Sequence, residues 1–537
     1  MNFGGGFTED LSTATGGNGP ADLLFGVPQA TEQDTLDGLY PTRYWDLAEF
    51  VQDDYRIRQN LTINLGLRYE VASPANGRVA NFDLTRAVMV ASYGAGAVSH
   101  AGVGFDKSDW GPRIGFALSL AHNTVVRSAF GIFYSAEANT FDDLGLNPPA
   151  LTDLARSYST GNIPASGQLA SAGFPATFPV QELDAPTGSV KTTGPTRIMP
   201  RILEWNLSVQ REFASNWLAQ VAYAGTHAYR LWNHENADLN QPFQPLDTNF
   251  SDDTGNFGRP YFSVQPNLAS IYPLDLGDLH LMYNSLQASL NHRFAQGFNV
   301  LFAYTYAHNL GNADGNVAGA IQDAHNPGAE YGPVAPDIRH RFTASYLYQL
   351  PVGRGRAFGA GIGPALNAVI GGWDVSGITT AQTGQSETST ASSDLSNTGS
   401  FSYRFDQLAR PTDFSYDTAD QAALGCTPGK RNILCWYNPA AFTAPPLASG
   451  QQSAHAFGNA RIGNLRGPDL VDFDFVLQKH FQLGEWGQVE FRSEFFNIFN
   501  HPNLGLPANA VDVAGGAAIT NTAADNRELE FALKYSF

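Results

Sequence analysis

Apolar residues return at every second position in one stretch of this 537-residue chain after another. Leu61, Ile63, Leu65, Leu67, Tyr69 and Val71 form one series, and Thr62, Asn64, Gly66, Arg68 and Glu70 form the other. A period of two belongs to a β-strand whose faces meet different surroundings. The alternation predicts strands at 44–56, 61–71, 113–120, 125–135, 202–213, 217–225, 281–294, 298–308, 340–350, 370–382, 470–481, 488–499 and 527–537. A further strand near Met1 would bring the total to roughly fourteen.

The strands fall into hairpins. Short polar turns occupy 59–60, 121–124, 214–216, 295–297 and 484–487, and a longer Gly-rich connection follows residue 350. Between hairpins the segments 72–110, 136–200, 226–279, 309–338, 383–467 and 500–526 are long and rich in Gly, Pro, Asn, Asp and Ser. Loops of that length are uncommon in compact soluble domains. Short turns at one end and long loops at the other predict an all-β fold, an antiparallel transmembrane β-barrel of the outer-membrane type, with the long loops outside.

The two faces carry matching chemistry. Leu203, Trp205, Leu207 and Val209 would face lipid, and Glu204, Asn206, Ser208 and Gln210 the lumen. The lipid series are almost free of charge, which near mid-bilayer would cost about 2–4 kcal/mol. Arg211 shares that parity but sits beside a turn, where its stem reaches the interface. Trp217, Tyr223, Tyr304, Tyr306, Tyr346 and Tyr348 are expected in the aromatic girdles.

Composition narrows the alternatives. Charged residues make up 15% of the chain and aromatics 12%, the reverse of a disordered sequence. No apolar run approaches the ~18 residues of a membrane helix. A net charge of −19 without a basic patch argues against nucleic acid as a partner. Met1 is not followed by a basic segment and an apolar one, so no secretory signal is visible, and the chain is expected to be a processed or internal portion of an exported protein. At the other end, Leu529, Phe531, Leu533, Tyr535 and Phe537 share one parity. A terminal Phe537 behind Leu533 and Tyr535 resembles the signal that outer-membrane barrels present to their assembly machinery. Outer-membrane lipid and that machinery are thus expected partners.

Several runs resemble the barrel region of Oar-like TonB-dependent transporters. They are Phe50-Val-Gln-Asp-Asp-Tyr55, Leu61-Thr-Ile-Asn-Leu-Gly-Leu-Arg-Tyr-Glu70, Asn432-Ile-Leu-Cys-Trp-Tyr-Asn-Pro-Ala-Ala-Phe442 and Phe457-Gly-Asn-Ala-Arg-Ile-Gly-Asn-Leu-Arg-Gly-Pro468. The most specific is Val489-Glu-Phe-Arg-Ser-Glu-Phe-Phe-Asn-Ile-Phe-Asn-His-Pro-Asn503, followed by the ending 527–537. The resemblance implies that 1–537 forms one barrel domain, either complete or part of a larger barrel of about 22 strands. It implies uptake or surface binding of a bulky ligand whose identity is open. Energy coupling to TonB would run through a plug and TonB box that this sequence lacks, as it lacks a carboxypeptidase-regulatory-like domain. A plug-free passive pore or a surface adhesin is the alternative.

Candidate sites are few. Cys426 and Cys435 lie in one long loop and fit a small disulfide worth very roughly 2–3 kcal/mol, with two free thiols as the alternative. Asp472 and Asp474 share a face, as do Glu490, Arg492 and Glu494 on the next strand. These five would line a permeation path or contact a plug, or else form a charge ladder that satisfies itself across the hairpin. Asn312-Ala-Asp-Gly-Asn316 and Ser251-Asp-Asp-Thr-Gly-Asn256 are similar to calcium loops but lack the bidentate Glu, so turn chemistry explains them better. No H-x-x-x-H pair or G-x-S-x-G elbow is present, so neither a cofactor, a metal site nor catalysis is indicated. A barrel hydrolase would need a Ser–His pair at the rim, and a secreted β-sandwich would be soluble without detergent.

Overall fold

A computed structural model of the protein describes residues 1–4, 7–8, 17–36, 41–135, 143–148, 151–157, 164, 168–173, 183–214, 216–233, 235, 237–242, 259–295, 297–312, 321–394, 396, 398–399, 402–445 and 457–537. Thirteen long strands follow one another through a single antiparallel sheet. They are β1 (Asp46–Arg58), β2 (Leu61–Ala72), β3 (Asp109–Leu120), β4 (Thr124–Tyr134), β5 (Arg201–Phe213), β6 (Trp217–Leu231) and β7 (Leu279–Ala295). The series continues with β8 (Phe298–Gly311), β9 (His340–Gln349), β10 (Trp373–Gln382), β11 (Leu470–Gln482), β12 (Gln488–Phe496) and β13 (Glu528–Ser536). Each pairs with its chain neighbours, and β1 and β13 remain the two edges, so the barrel is not closed.

The expected strand near Met1 is not part of this sheet. Asn2 forms a single bridge to Ala30, and the strand Ala30–Leu36 pairs with Leu151–Ser157 in a separate two-stranded ribbon. The fourteenth member is instead the short strand Gly332–Pro333 beside the end of β8. Two residues are too few to leave a periodic signature.

Register places the alternating residues as the sequence requires. Trp205 lies opposite Phe130 on β4 and Gly225 on β6, while Glu204 lies opposite Gly131 and Thr226. Outward rings meet across strands, with centroids 4.4 Å apart for Tyr69 and Trp110, 4.6 Å for Trp217 and His292, and 6.2 Å for Phe302 and Phe342. Two outward glycines are required by close neighbours: a Cβ on Gly225 would collide with the Trp205 ring, and one on Gly377 with the Asp474 carbonyl oxygen and, at 2.6 Å, the Tyr346 hydroxyl.

Lipid-side charge is rare and has local explanations. Lys479 lies opposite Trp373 on the outward series, yet it is buried, donates to the Val369 carbonyl at 3.2 Å and sits over the Trp373 ring. On the edge strand β1, Glu49 and Asp53 also fall on the outward series, opposite Tyr69 and Leu65. This departs from the expected charge-free face and occurs where the sheet is open, the position at which charge deters unwanted strand pairing.

The hydrophobic cores lie in the loops. Loop 1 (73–108), loop 2 (135–200), loop 3 (232–278), loop 4 (312–339), loop 5 (383–469) and loop 6 (497–527) connect the hairpins at one end of the sheet. Phe82 and Met89 of loop 1, Val190 of loop 2 and Ile271 of loop 3 form one buried cluster. Phe405, Tyr437 and Leu465 of loop 5 join Val511 and Ala517 of loop 6 in another, and Ala237, Ile321 and Ala324 bind loop 3 to loop 4. By contrast, Phe531 and Leu533 on β13 are 67% and 74% exposed. The strands turn their apolar side chains outward, and the loops fold as globular layers.

Enlarging an outward glycine tests this packing. Gly377→Leu should displace the Tyr346 ring and lower stability by about 1–3 kcal/mol, the usual penalty of overpacking. The check is a fall in the midpoint temperature at which the folded band is lost in a heat-modifiability gel.

Candidate functional site

The inner face of the sheet carries charged side chains on two walls. Against β1 to β5 lies a cavity of about 540 Å³ lined by Gln52, Asn64, Arg113, Arg127, Glu204 and Asn206, among others. Several polar groups in and beside it are engaged. Arg127 donates to Gln210 at 2.8 Å, Asn64 donates to Asp54, Arg68 pairs with Glu70, and the Arg113 guanidinium lies 4.6 Å from the Phe133 ring centre.

The far wall holds the five charged residues singled out in the sequence. Arg492 Nε lies 3.6 Å from Glu490 and 3.4 Å from Glu494, a ladder along one strand. Asp472 and Asp474 share the inner face with it but stand further toward the loops, where Asp474 accepts the Asn497 backbone N–H at 3.1 Å and Asp472 that of Phe473 at 3.1 Å. Across the next pair, Lys534 lies opposite Glu490 and Glu530 opposite Glu494. This wall is acidic, and within it Arg492 bridges two carboxylates.

The loops above these walls are locked by buried polar chemistry. Arg404 of loop 5 and Glu330 of loop 4 form an ion pair with both side chains almost completely enclosed. Glu330 also accepts the Gln322 N–H at 2.9 Å. Gln241 of loop 3 donates to the Gln322 carbonyl and to Thr398, each at 2.8 Å, and Gln322 donates to the Gly458 carbonyl at 2.7 Å. Thus loops 3, 4 and 5 share one network.

A second lock centres on Asp337. This wholly buried carboxylate meets Arg339 at 2.8 Å, Arg466 at 2.5 Å and His308 Nδ1 at 3.1 Å, and accepts the Asn309 N–H at 2.8 Å. Burial alone would raise its pKa, but the bonds from Arg466, Asn309 and His308 hold it below the ordinary carboxylate value. Elsewhere burial wins. Glu387 in loop 5 is pushed up to about 7 by desolvation, and Asp275 in loop 3 to about 7 despite the Gly194 N–H and Arg197 nearby.

Cys426 and Cys435 are joined by a disulfide, with Cα atoms 5.5 Å apart, inside the core shared by loops 5 and 6. Leu533 and Tyr535 lie on the outward face of the edge strand β13, and Phe537, just past its end, stacks on Tyr535 at 5.6 Å. The two loop motifs similar to calcium sites lie outside the described residues, Asn312 excepted.

The model of the family described as outer membrane beta barrel domain matches residues 1–530. The chain belongs to that family. No curated protein sequence matches it. Among solved structures it is similar to the ferripyoverdine receptor of the Pseudomonas aeruginosa outer membrane (9% identity, TM-score 0.41, 92% of this chain and 39% of that one). It is also similar to the siderophore receptor PirA from Acinetobacter baumannii (10% identity, TM-score 0.43, 92% and 46%) and to the ferric citrate transporter FecA (12% identity, TM-score 0.37, 91% and 44%). The barrel domain spans less than half the length of each of these structures.

Sequence reasoning missed both loop locks. Arg466 stands in the quoted run 457–468, but its partners His308 and Asp337 are far away in the sequence and carry no shared motif.

Two substitutions test the buried polar chemistry of the loops. Glu330→Ala leaves Arg404 buried without its carboxylate, so loops 4 and 5 should lose about 3–5 kcal/mol of local stability. Rapid protease cleavage within 312–339 and 383–469, with the strands intact, is the expected readout. The pH dependence follows from Glu387. A carboxyl raised from 3.8–4.5 to about 7 favours the folded state at low pH, and that contribution is lost as pH rises through about 7. Loop 5 of the native protein should therefore become more protease-sensitive as pH rises from 4.5 to about 7, with little further change above that, and Glu387→Gln should weaken the dependence.

Proposed function

We propose that the barrel domain serves in an Oar-like TonB-dependent outer-membrane receptor, for uptake or surface binding of a bulky ligand. The observation that carries this reading is the interlocked loop cap above a polar inner face. Loops that only fringe an open pore do not need buried ion pairs and shared apolar cores, whereas a receptor needs a pre-organised outer surface to select its ligand. In this reading residues 1–537 act as one barrel domain, Asp472, Asp474, Glu490, Arg492 and Glu494 line the path or meet a plug, and coupling to TonB passes through a plug and TonB box supplied elsewhere. Leu533, Tyr535 and Phe537 serve as the assembly signal. In this reading the role of the barrel is non-enzymatic.

Fractionation of the native cells, probed with an antibody against residues 527–537, tests the location. A heat-modifiable band in the outer membrane is expected, and antigen confined to the soluble fraction would refute the reading. Recording from the extracted protein in planar bilayers then separates receptor from passive pore. A largely closed baseline is expected, and a steady open conductance would favour the pore.

A further inference from the structure

Where loops 5 and 6 meet the long-loop ends of β9 and β10, a second cavity of about 680 Å³ opens. In a chain of net charge −19, its lining includes Arg339, Arg431, Arg466, His340 and His501, against a single carboxylate, Asp469. The cations are only partly neutralised. Arg466 and Arg339 share the one carboxylate of Asp337, and Arg339 reaches it through Nε alone. Arg431 makes no ion pair among the described residues and lies 3.6 Å above the ring centre of Trp436. Trp436 donates to the Arg466 carbonyl at 3.0 Å, which ties the Arg431 stack to the Asp337 lock. His501 engages Asn503 through Nδ1, and Asp469 accepts the Gly384 N–H at 2.9 Å.

The position of the cavity is as informative as its charge. His340 belongs to the outward series of β9, opposite Tyr306, and its Nδ1 is 2.7 Å from the Tyr304 hydroxyl. The cavity therefore stands directly above the outward aromatic residues of β8 and β9, the level at which lipid headgroups begin.

We propose that this cavity binds a phosphate monoester. Two guanidinia with uncommitted N–H groups and two imidazoles offer more donors than a carboxylate's two oxygens accept. A phosphate monoester brings three oxygens and a charge of about −1.5 to −2, and guanidinium pairs with such oxyanions through parallel N–H bonds. The ester is carried either by an outer-leaflet lipid headgroup or by a soluble phosphorylated ligand. The site stands on its own geometry and does not depend on the receptor role.

Two binding measurements on the full chain, refolded in detergent and in nanodiscs, test the site. One titrates glycerol 3-phosphate, with glycerol as the uncharged control. The other compares retention of phosphatidic acid and phosphatidylcholine by native mass spectrometry. Selective binding in either arm is expected, weakened about tenfold or more by Arg431→Gln, as loss of a charge-assisted hydrogen bond requires. Binding in the first arm assigns a soluble phosphorylated ligand, and binding in the second alone assigns a lipid headgroup. Should Arg431→Gln fail to fold, His501→Ala serves as the second variant, with the same direction of loss. No preference for phosphate in either arm, or equal affinity in a folded Arg431→Gln protein, would overturn the proposal.

Discussion

Hydrocarbon offers no partner to a backbone N–H or C=O, so a chain that crosses it as strands must satisfy each one laterally. The rest of this structure depends on that constraint. It explains the unbroken antiparallel pairing from β1 to β13 and the outward display of Leu, Phe and Tyr. It also explains why Lys479, the buried cation on the outward series, turns to the carbonyls of the connection between β9 and β10. The same constraint makes the unpaired edges of β1 and β13 the places where further strands would have to pair if lipid surrounds the sheet.

With the strands' apolar side chains committed to lipid, the hydrophobic effect that folds soluble domains acts on the loops instead. Apolar residues from loops 1, 2 and 3 share one core, those of loops 5 and 6 another, and loop 4 joins through Ile321 and Ala324. The buried pair Glu330–Arg404 and the Asp337 cluster add directional bonds to this non-directional packing. A buried ion pair contributes little net stability, yet it strongly penalises arrangements that separate its members. The loop cap is thereby held to one geometry, which is the property that recognition of a specific ligand requires.

The inner face remains polar along its length, with arginines prominent near β3 and β4 and carboxylates near β11 and β12. The arginines near β3 and β4 stand beside Glu204, so that wall is mixed in charge, whereas carboxylates outnumber cations near β11 and β12. The cationic cavity above β9 and β10 is separate from both, since it lies among the loops and its His340 belongs to the outward series.

The thirteen long strands were legible in the sequence because each meets two different surroundings, and period-two alternation records that difference residue by residue. The face assignments of Trp205 and Glu204, and of Asp472, Asp474, Glu490, Arg492 and Glu494, follow from the same parity. Tertiary structure decided the rest. Asp337 gathers His308, Arg339 and Arg466 from three parts of the chain, and Phe82 meets Ile271 across nearly two hundred residues, roughly the distance at which local pattern carries no information. The strand expected near Met1 failed for a related reason: alternation marks a strand but does not name its neighbour, and the ribbon of Ala30–Leu36 found its partner in loop 2. Periodicity is a local property of the chain, whereas loop packing and charge pairing are set by contacts that exist only once the sheet has brought distant segments to one end.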